Sequence, residues 1–201
     1  MKINDSIRLT IDDFERGELE SAMLHACNAV DGTAKKLYPK LHNRDRFTKL
    51  LRDNYDILGP MGMPGIDIAE MRFPIDANEF DIADVIYKIH RCTHGHGGEL
   101  PEGFSLIENT AGPRQITNIS ICIGKSIHMS DRIIFALISI AILLPINKGM
   151  ITPKLDGYYL FFGNSHELFI NDWWGRKNDF LEFIAKEPMP LVKLDFSNIK
   201  T

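Results

Sequence analysis

The run IIFALISIAILL at residues 133–144 is the most apolar stretch of the chain. It is 12 residues long, whereas a helix that spans a membrane needs about 20. Asp131 and Arg132 precede it and Pro145 follows it, and a proline does not continue a helix. We therefore expect a helix buried at the centre of the fold, with no membrane contact.

Amphipathic segments surround this central run. The helical spacing of apolar residues predicts further helices at 12–38, 44–55, 81–93 and 173–186. Thr10 or Asp12 is a candidate N-cap for the first of them, and Pro39 ends it. Residues 59–79 contain three glycines and three prolines, which predicts a loop with one short strand or extended turn.

Alternating apolar and polar residues predict short strands. These are FSLIEN (104–109), ITNISICIGKSIHMS (116–130), GYYLFFGN (157–164), HELFIN (166–171) and LVKLDF (191–196). We expect one hairpin across TAGPRQ at 110–115 and a second with its turn at Gly163 and Asn164. The chain of 201 residues is long enough for one buried core. The pattern predicts a single domain over 1–201, mainly α with added β-hairpins and α+β overall.

The charge distribution is uneven. Net charge is −4, which is not typical of a nucleic-acid-binding protein. Residues 35–52 nevertheless carry seven basic side chains against the single acid Asp45. This basic stripe is either a surface for an anionic ligand such as RNA or a solvated helix face. Its members are Lys35, Lys36, Lys40, Arg44, Arg46, Lys49 and Arg52.

Other sequence signals indicate the compartment of the protein and exclude several known catalytic motifs. Cys27, Cys92 and Cys122 are far apart and form no C-x-x-C spacing, which is typical of reduced thiols in a cytoplasmic protein. The first residues lack the apolar segment of a signal peptide. The chain also lacks a phosphate loop, a dinucleotide-binding glycine motif and a G-x-S-x-G nucleophile motif.

The stretch HRCTHGHGGE at 90–99 concentrates groups that bind metals or phosphates. His90 and His94 are four residues apart, a spacing that can hold zinc on a helix, with His96 as a third ligand. No carboxylate partner follows from the sequence, so a histidine metal site is one alternative and no metal is assigned. Without a metal, we expect His94 to be an exposed side chain and His90 to take no part in the site.

Arg91 and His96 suggest a phosphate site. On an uninterrupted helix, a separation of five residues turns two side chains about 140° apart. Gly95, Gly97 and Gly98 allow the helix to end between the two, so that both side chains face one ligand. A guanidinium grips phosphate oxygens, and an imidazole transfers protons near neutral pH. The two could drive attack of an RNA 2′-hydroxyl on its own phosphodiester without a metal.

Two segments carry a resemblance to a known family. ESAMLHACNAVDGTAKKLYP at 20–39 and VIYKIHRCTHGHGGELPEG at 85–103 resemble the HEPN superfamily (higher eukaryotes and prokaryotes nucleotide-binding) of the R-x4-H type, over about 19–144. The resemblance implies a bundle of four or five helices. It makes 12–145 a HEPN-like helical core with a β insertion and 150–201 a β/α extension packed on that core.

The resemblance also implies a function. Many members are metal-independent endoribonucleases in defence or toxin–antitoxin systems, with the active site at a two-fold dimer interface. Carried onto this chain, Arg91 would stabilise the phosphorane and His96 would be general acid or base. The expected partners are RNA or a nucleotide, a second copy of the chain and an antitoxin protein. No cofactor is implied.

The chain departs from the family pattern at two positions. Cys92 stands after the arginine, where members often have Asn, Asp or His, and Gly98 replaces a frequent tyrosine. Some members only bind nucleotides or partner proteins, so a non-catalytic binding module is the alternative function. Asp31 could reach Arg91 and orient it, and His94 could serve as an alternate base.

Trp173 and Trp174 could stack on bases. Adjacent tryptophans more commonly pack one ring in the core and leave the other at a surface.

Overall fold

The structure is a computed structural model. It describes residues 2–75, 78–95, 104–108, 116–122, 126–152, 157–162, 166–188 and 191–195. The helices are α1 (Ile3–Glu15), α2 (Leu19–Leu37), α3 (Asn43–Arg52), α4 (Tyr55–Gly62), α5 (Ile82–Gly95), α6 (Arg132–Leu143), α7 (Ile170–Trp173) and α8 (Lys177–Ile184). The strands are β1 (Phe73–Ile75), β2 (Asn78–Phe80), β3 (Phe104–Ile107), β4 (Ile116–Cys122), β5 (Ser126–Ser130), β6 (Tyr159–Phe162), β7 (His166–Phe169) and β8 (Leu191–Asp195). The protein is mainly α with added β-hairpins, in the α+β class.

Helix α6 lies at the centre of the fold, as its apolar sequence predicts. Every residue of α6 except Phe135 is buried, and the helix packs chiefly against α2 and α4. A methyl group added at Gly62 of α4 would lie 3.1 Å from the Ala136 Cβ and 3.1 Å from the Ile133 Cδ1. The absence of a side chain at Gly62 therefore lets α4 approach α6 closely. None of the helices in the described ranges is long and apolar enough to cross a membrane.

The first predicted helix, 12–38, is wrong as a single element. The chain forms α1 and α2, joined by a turn at Gly17 with φ of 77°, a conformation that favours glycine. Thr10 is not a cap: it lies inside α1, where its hydroxyl donates to the Ser6 carbonyl at 2.9 Å. Asp12 is also internal to α1, and its carboxylate accepts from Arg8 at 2.7 Å.

Helix α4 forms where the sequence predicts a loop. The predicted helix 44–55 corresponds to α3, and residue 55 already belongs to α4. Pro60 lies inside α4, which ends two residues later. Ile57, Leu58 and Met61 are buried, so their burial outweighs the local signal of the proline and the glycines.

The four-stranded sheet differs from the prediction in its connections. Its strand order is β3-β5-β4-β8. The hairpin predicted across 110–115 is wrong, because β3 pairs in parallel with β5 and not with β4. The hairpin joins β4 to β5 instead, and β8 adds to β4 in parallel. Pairing between strands far apart in the chain is set by packing, which local alternation does not encode.

The C-terminal hairpin is confirmed, since β6 and β7 pair antiparallel; its predicted turn at Gly163 and Asn164 lies outside the described residues. The predicted helix 173–186 is split into α7 and α8 around Gly175, whose φ is 77°. The backbone N–H of Gly175 donates to the Ile142 carbonyl at 2.8 Å. This hydrogen bond ties the break to the end of α6.

Trp174 is buried and Trp173 is partly buried against the core. This arrangement agrees with packing as the role of the pair. Apolar side chains from α1 through α8 join in one core.

Candidate functional site

The start of α5 is held by a network of four charged side chains. The Asp84 backbone N–H donates to the Asp81 Oδ1 at 2.9 Å, so Asp81 caps the helix. Arg52 donates to Asp81 and to Asp84, each at 2.6 Å. Arg44 donates to Asp84 at 2.9 Å. Two arginines of α3 therefore fix the start of α5, where carboxylates also suit the helix dipole.

The charge network sets the protonation of the cap. Burial raises the pKa of Asp81, but the hydrogen bonds from Arg52 and from the Asp84 backbone, together with the charge of Arg52, outweigh burial and lower the pKa below the usual value. Tyr55 lies in the same region, where burial and the nearby Asp81 raise its pKa to about 12. Asp81 is therefore ionised and Tyr55 neutral at physiological pH.

The middle of α5 is clamped to α3 by apolar and aromatic contacts. The predicted stripe Ile82, Val85, Ile86 and Ile89 is buried. The ring of His90 is 8% exposed and stacks on Phe47, with centroids 5.1 Å apart and planes 12° apart. His90 therefore packs in the core, in agreement with its interpretation as a bystander.

The candidate catalytic residues follow this clamp directly. Arg91, Cys92 and His94 lie on the last turns of α5, which extends to Gly95. Their side chains, and the whole of His96, lie outside the described residues. The convergence of Arg91 and His96 on one ligand stays a prediction. In the part of the chain that the structure describes, no three His, Cys, Asp or Glu side chains are grouped to hold a metal ion.

Asp31 lies beside a different arginine from the one predicted. The Arg46 Nη2 donates to the Asp31 Oδ1 at 3.0 Å and to its Oδ2 at 3.3 Å. The Arg46 side chain is largely buried, at 12% exposed. The pair joins α2 to α3, and a contact from Asp31 to Arg91 stays a prediction. Asp31 and Arg46 lie 15 residues apart on two different helices, so the helical periodicity of the sequence does not predict their contact.

The basic stripe at 35–52 is largely engaged within the fold. Besides Arg44, Arg46 and Arg52, Lys49 pairs with Asp53 at 2.9 Å. The Lys36 Nζ donates to the Asn147 Oδ1 at 3.0 Å. Lys35 and Lys40 are exposed. Much of the positive charge is therefore balanced by Asp31 of α2, by Asp53 after α3 and by the two acids at the start of α5, and RNA binding by the stripe stays a prediction.

A serine–histidine pair on the sheet was not anticipated. The Ser105 hydroxyl and the His128 Nδ1 are hydrogen-bonded between β3 and β5. In the sheet register, His128 is also opposite Ser120, and Ser120 is opposite Asp195. Four polar residues therefore occupy one row across the sheet. The described hydrogen bond fastens β3 to β5.

Two more polar clusters hold elements together. Asp13 is buried and accepts from Arg16 and from Ser21, and the His25 Nε2 lies 3.4 Å from its Oδ2. Burial lowers the pKa of His25 although Asp13 opposes the shift, which favours the neutral ring. At the start of α6, Arg132 is buried and its Nε donates to the Met61 carbonyl at 3.2 Å. These clusters fasten the α1–α2 turn and the α4–α6 contact.

The thiol of Cys27 has low reactivity. The thiol is fully buried, and burial raises its pKa well above the usual range. A buried thiol with a raised pKa stays protonated and is a poor nucleophile. This agrees with the expected reduced thiol, whereas the side chains of Cys92 and Cys122 lie outside the described residues.

These features define a mainly helical α+β protein in which an anchored helix, α5, carries the Arg91 segment. The chain belongs to the Rv1289 family, whose model matches residues 2–200. It is similar to the proteins named "Uncharacterized protein Rv1289" of Mycobacterium tuberculosis and "Uncharacterized protein Mb1320" of Mycobacterium bovis. Each is 36% identical over 208 residues, covering 99% of this chain and 95% of the relative. No solved structure matches the chain significantly.

Proposed function

We propose that this protein is a HEPN-like, metal-independent endoribonuclease of the cytoplasm, in which Arg91 and His96 handle the scissile phosphate. One observation carries the proposal. Helix α5 runs from Ile82 to Gly95, so Arg91 lies on its last turns and His96 directly follows its final residue. The pair requires the helix to end near Gly95, since a continuing helix would turn the two side chains apart.

The chemistry needs only groups that the chain supplies. A base removes the proton of the ribose 2′-hydroxyl, and the 2′-oxygen forms a bond to the adjacent phosphorus. The bond from phosphorus to the 5′-oxygen breaks as an acid protonates that oxygen, which leaves a 2′,3′-cyclic phosphate. In this proposal His96 is the acid or the base, and Arg91 stabilises the charge of the phosphorane.

The anchoring of α5 supports this role. The Arg52–Asp81 bond holds the start of the helix at 2.6 Å, and the stack of His90 on Phe47 holds the turn before Arg91. A catalytic group works best when its supporting element is rigid. The position of Arg91 relative to α3 is therefore fixed at the level of the backbone.

The partners follow from the same proposal. One Arg–His pair supplies one acid or base, so a second copy of the chain completes the site as a homodimer. RNA is the substrate, and an antitoxin protein that covers the end of α5 would silence the activity in a defence or toxin–antitoxin setting. Cys92 and Gly98 favour the alternative, a nucleotide-, RNA- or partner-binding module without catalysis.

Cleavage of RNA in excess chelator tests the proposal. Wild type, Arg91→Ala, His96→Ala and the control His42→Ala are compared, because His42 is an exposed histidine outside the proposed site. We expect cleavage by wild type and the control, with 2′,3′-cyclic phosphate ends, and none by the other two variants. A wild-type protein that binds RNA without cutting it would support the binding module. Activity lost on chelation, or kept by His96→Ala, would refute the mechanism.

A further inference from the structure

The β6–β7 hairpin has one face in the core and one in solvent. Leu160, Phe162 and Leu168 are buried. On the opposite face Tyr159, Phe161 and Phe169 are 37%, 43% and 45% exposed. Three aromatic side chains grouped on one exposed face make this face a candidate for interaction.

The exposed side chains form a compact group. Tyr159 is paired across the hairpin with Phe169, and Phe161 with Glu167. The Tyr159 ring lies 4.9 Å from that of Phe161, edge to face, and 5.9 Å from that of Phe169. We call these four residues the aromatic square: three rings and one carboxylate at the corners of a two-by-two grid.

The same chain shows what a ring beside a carboxylate holds. The Arg176 guanidinium lies 5.0 Å from the centroid of Trp173, and its Nε donates to Asp179 at 2.7 Å.

The second case involves a lysine. The Lys49 ammonium lies 5.3 Å from the Tyr38 ring and 2.9 Å from Asp53. In both cases a cation is attracted by the negative face of a ring and by an acid at the same time.

The aromatic square has the rings and the acid but lacks the cation. Among the described residues, no lysine or arginine pairs with Glu167 or lies over the rings of Tyr159, Phe161 or Phe169. Cross-strand aromatic contacts help to stabilise a hairpin, which accounts for the ring contacts. It does not account for an unpaired carboxylate among them.

We propose that the aromatic square binds an arginine side chain of a partner protein. The exposed rings and the carboxylate suit a planar guanidinium, which stacks on a ring while its N–H groups reach an acid. The carboxylate of Glu167 disfavours a nucleic acid, because it would repel the phosphates. This surface lies on the β6–β7 hairpin, whereas the proposed ribonuclease residue Arg91 lies on α5.

Peptide titrations followed by two-dimensional NMR test the proposal on the full-length protein. The probe is a blocked Gly-Gly-Arg-Gly-Gly peptide, and the matched probe carries citrulline, which keeps the shape of arginine without its charge. We expect the arginine peptide to shift signals of the hairpin residues and the citrulline peptide to bind at least about five-fold more weakly, as cation–aromatic contacts at exposed sites are modest.

Protein variants complete the test. Glu167→Gln should weaken the arginine peptide about five-fold, in line with the small energies of exposed charge contacts. Glu182→Gln is the matched control, an exposed acid that pairs with Lys186 on α8 at 2.8 Å, and it should bind like wild type. Equal binding of both peptides, or equal effects of both variants, would overturn the proposal. Shifts of the hairpin signals by oligouridylate but not by the arginine peptide would overturn it in favour of a nucleic-acid surface.

Discussion

Arg52 of α3 donates to Asp81, the cap of α5, at 2.6 Å. A side chain of the basic stripe therefore acts within the fold, as a tie between two helices. The same guanidinium reaches Asp84 at 2.6 Å, so one arginine pairs with both acids at the start of the helix that carries Arg91. This contact helps to hold the start of α5, the helix that carries Arg91.

Arg52→Gln should lower the free energy of unfolding by about 1 kcal/mol at pH 7, a modest value because the pair is partly exposed and screened by water. The control is Arg72→Gln, since among the described residues Arg72 donates to the backbone carbonyls of Ala69 and Met71. Urea unfolding of both variants measures the difference. Equal losses would show that the contact to Asp81 adds nothing.

The contribution of Arg52 should depend on pH in a defined direction. The pKa of Asp81 is lowered in the folded protein, so its ionised form contributes stability above the unfolded pKa of about 3.9. That contribution is lost as the pH falls through the lowered folded pKa. The difference between wild type and Arg52→Gln should therefore be constant above about pH 5 and shrink in acid. A difference that grows in acid would contradict this.

His90→Ala should destabilise the protein by about 2 kcal/mol, because it removes a buried ring that stacks on Phe47. His42→Ala, at an exposed position, should change stability by less than about 0.5 kcal/mol. Thermal unfolding in excess chelator makes the comparison. If chelator destabilised wild type but not His90→Ala, His90 would be a metal ligand after all.

Gly175→Ala should be more harmful than Gly149→Ala. Both glycines have positive φ, 77° and 80°, so each substitution carries about 1 kcal/mol of backbone strain. A Cβ at Gly175 would in addition lie 2.6 Å from the Lys148 Cβ, whereas nothing lies within 4 Å at Gly149. We expect at least about 2 kcal/mol of extra loss at Gly175. Equal unfolding midpoints in urea would show that the contact relaxes freely.

Lys35→Gln combined with Lys40→Gln should weaken RNA binding more than Lys49→Gln does, if the basic stripe contacts RNA as proposed. Lys35 and Lys40 are exposed, whereas Lys49 is paired with Asp53 at 2.9 Å. The double variant should reduce the slope of log affinity against log salt by about 1.4, because each lost contact to a single strand contributes about 0.7. An unchanged slope would exclude the stripe as an RNA surface.

Local patterns predicted elements well where one signal dominated. The apolar run at 133–144 became α6, and the stripe from Ile82 to Ile89 became the buried face of α5. The β6–β7 hairpin followed from alternation alone. Prediction failed where signals competed. The turn at Gly17 divided the predicted helix 12–38 between α1 and α2, and the burial of Ile57 and Leu58 favoured a helix that includes Pro60.

The sequence also predicted only part of the candidate site. Sequence spacing selected Arg91 and His96, because a helix end rich in glycine lets a guanidinium and an imidazole converge. It paired Asp31 with Arg91 as a possibility, whereas Asp31 binds Arg46 at 3.0 Å. The partner of a charged side chain depends on which helices pack together. The spacing of residues along one helix does not predict that packing.

The sequence by itself determined the central apolar helix, the amphipathic face of α5, the C-terminal hairpin and the residues available for phosphate chemistry. These depend on the periodicity of side chains over a few turns, which is a local property. Only the tertiary structure decided that β5 lies between β3 and β4, that four members of the basic stripe pair with acids, and that Glu167 lies beside exposed rings with no cation paired to it among the described residues. These depend on contacts between segments far apart in the chain, where burial and charge pairing select one arrangement among many that local patterns allow equally.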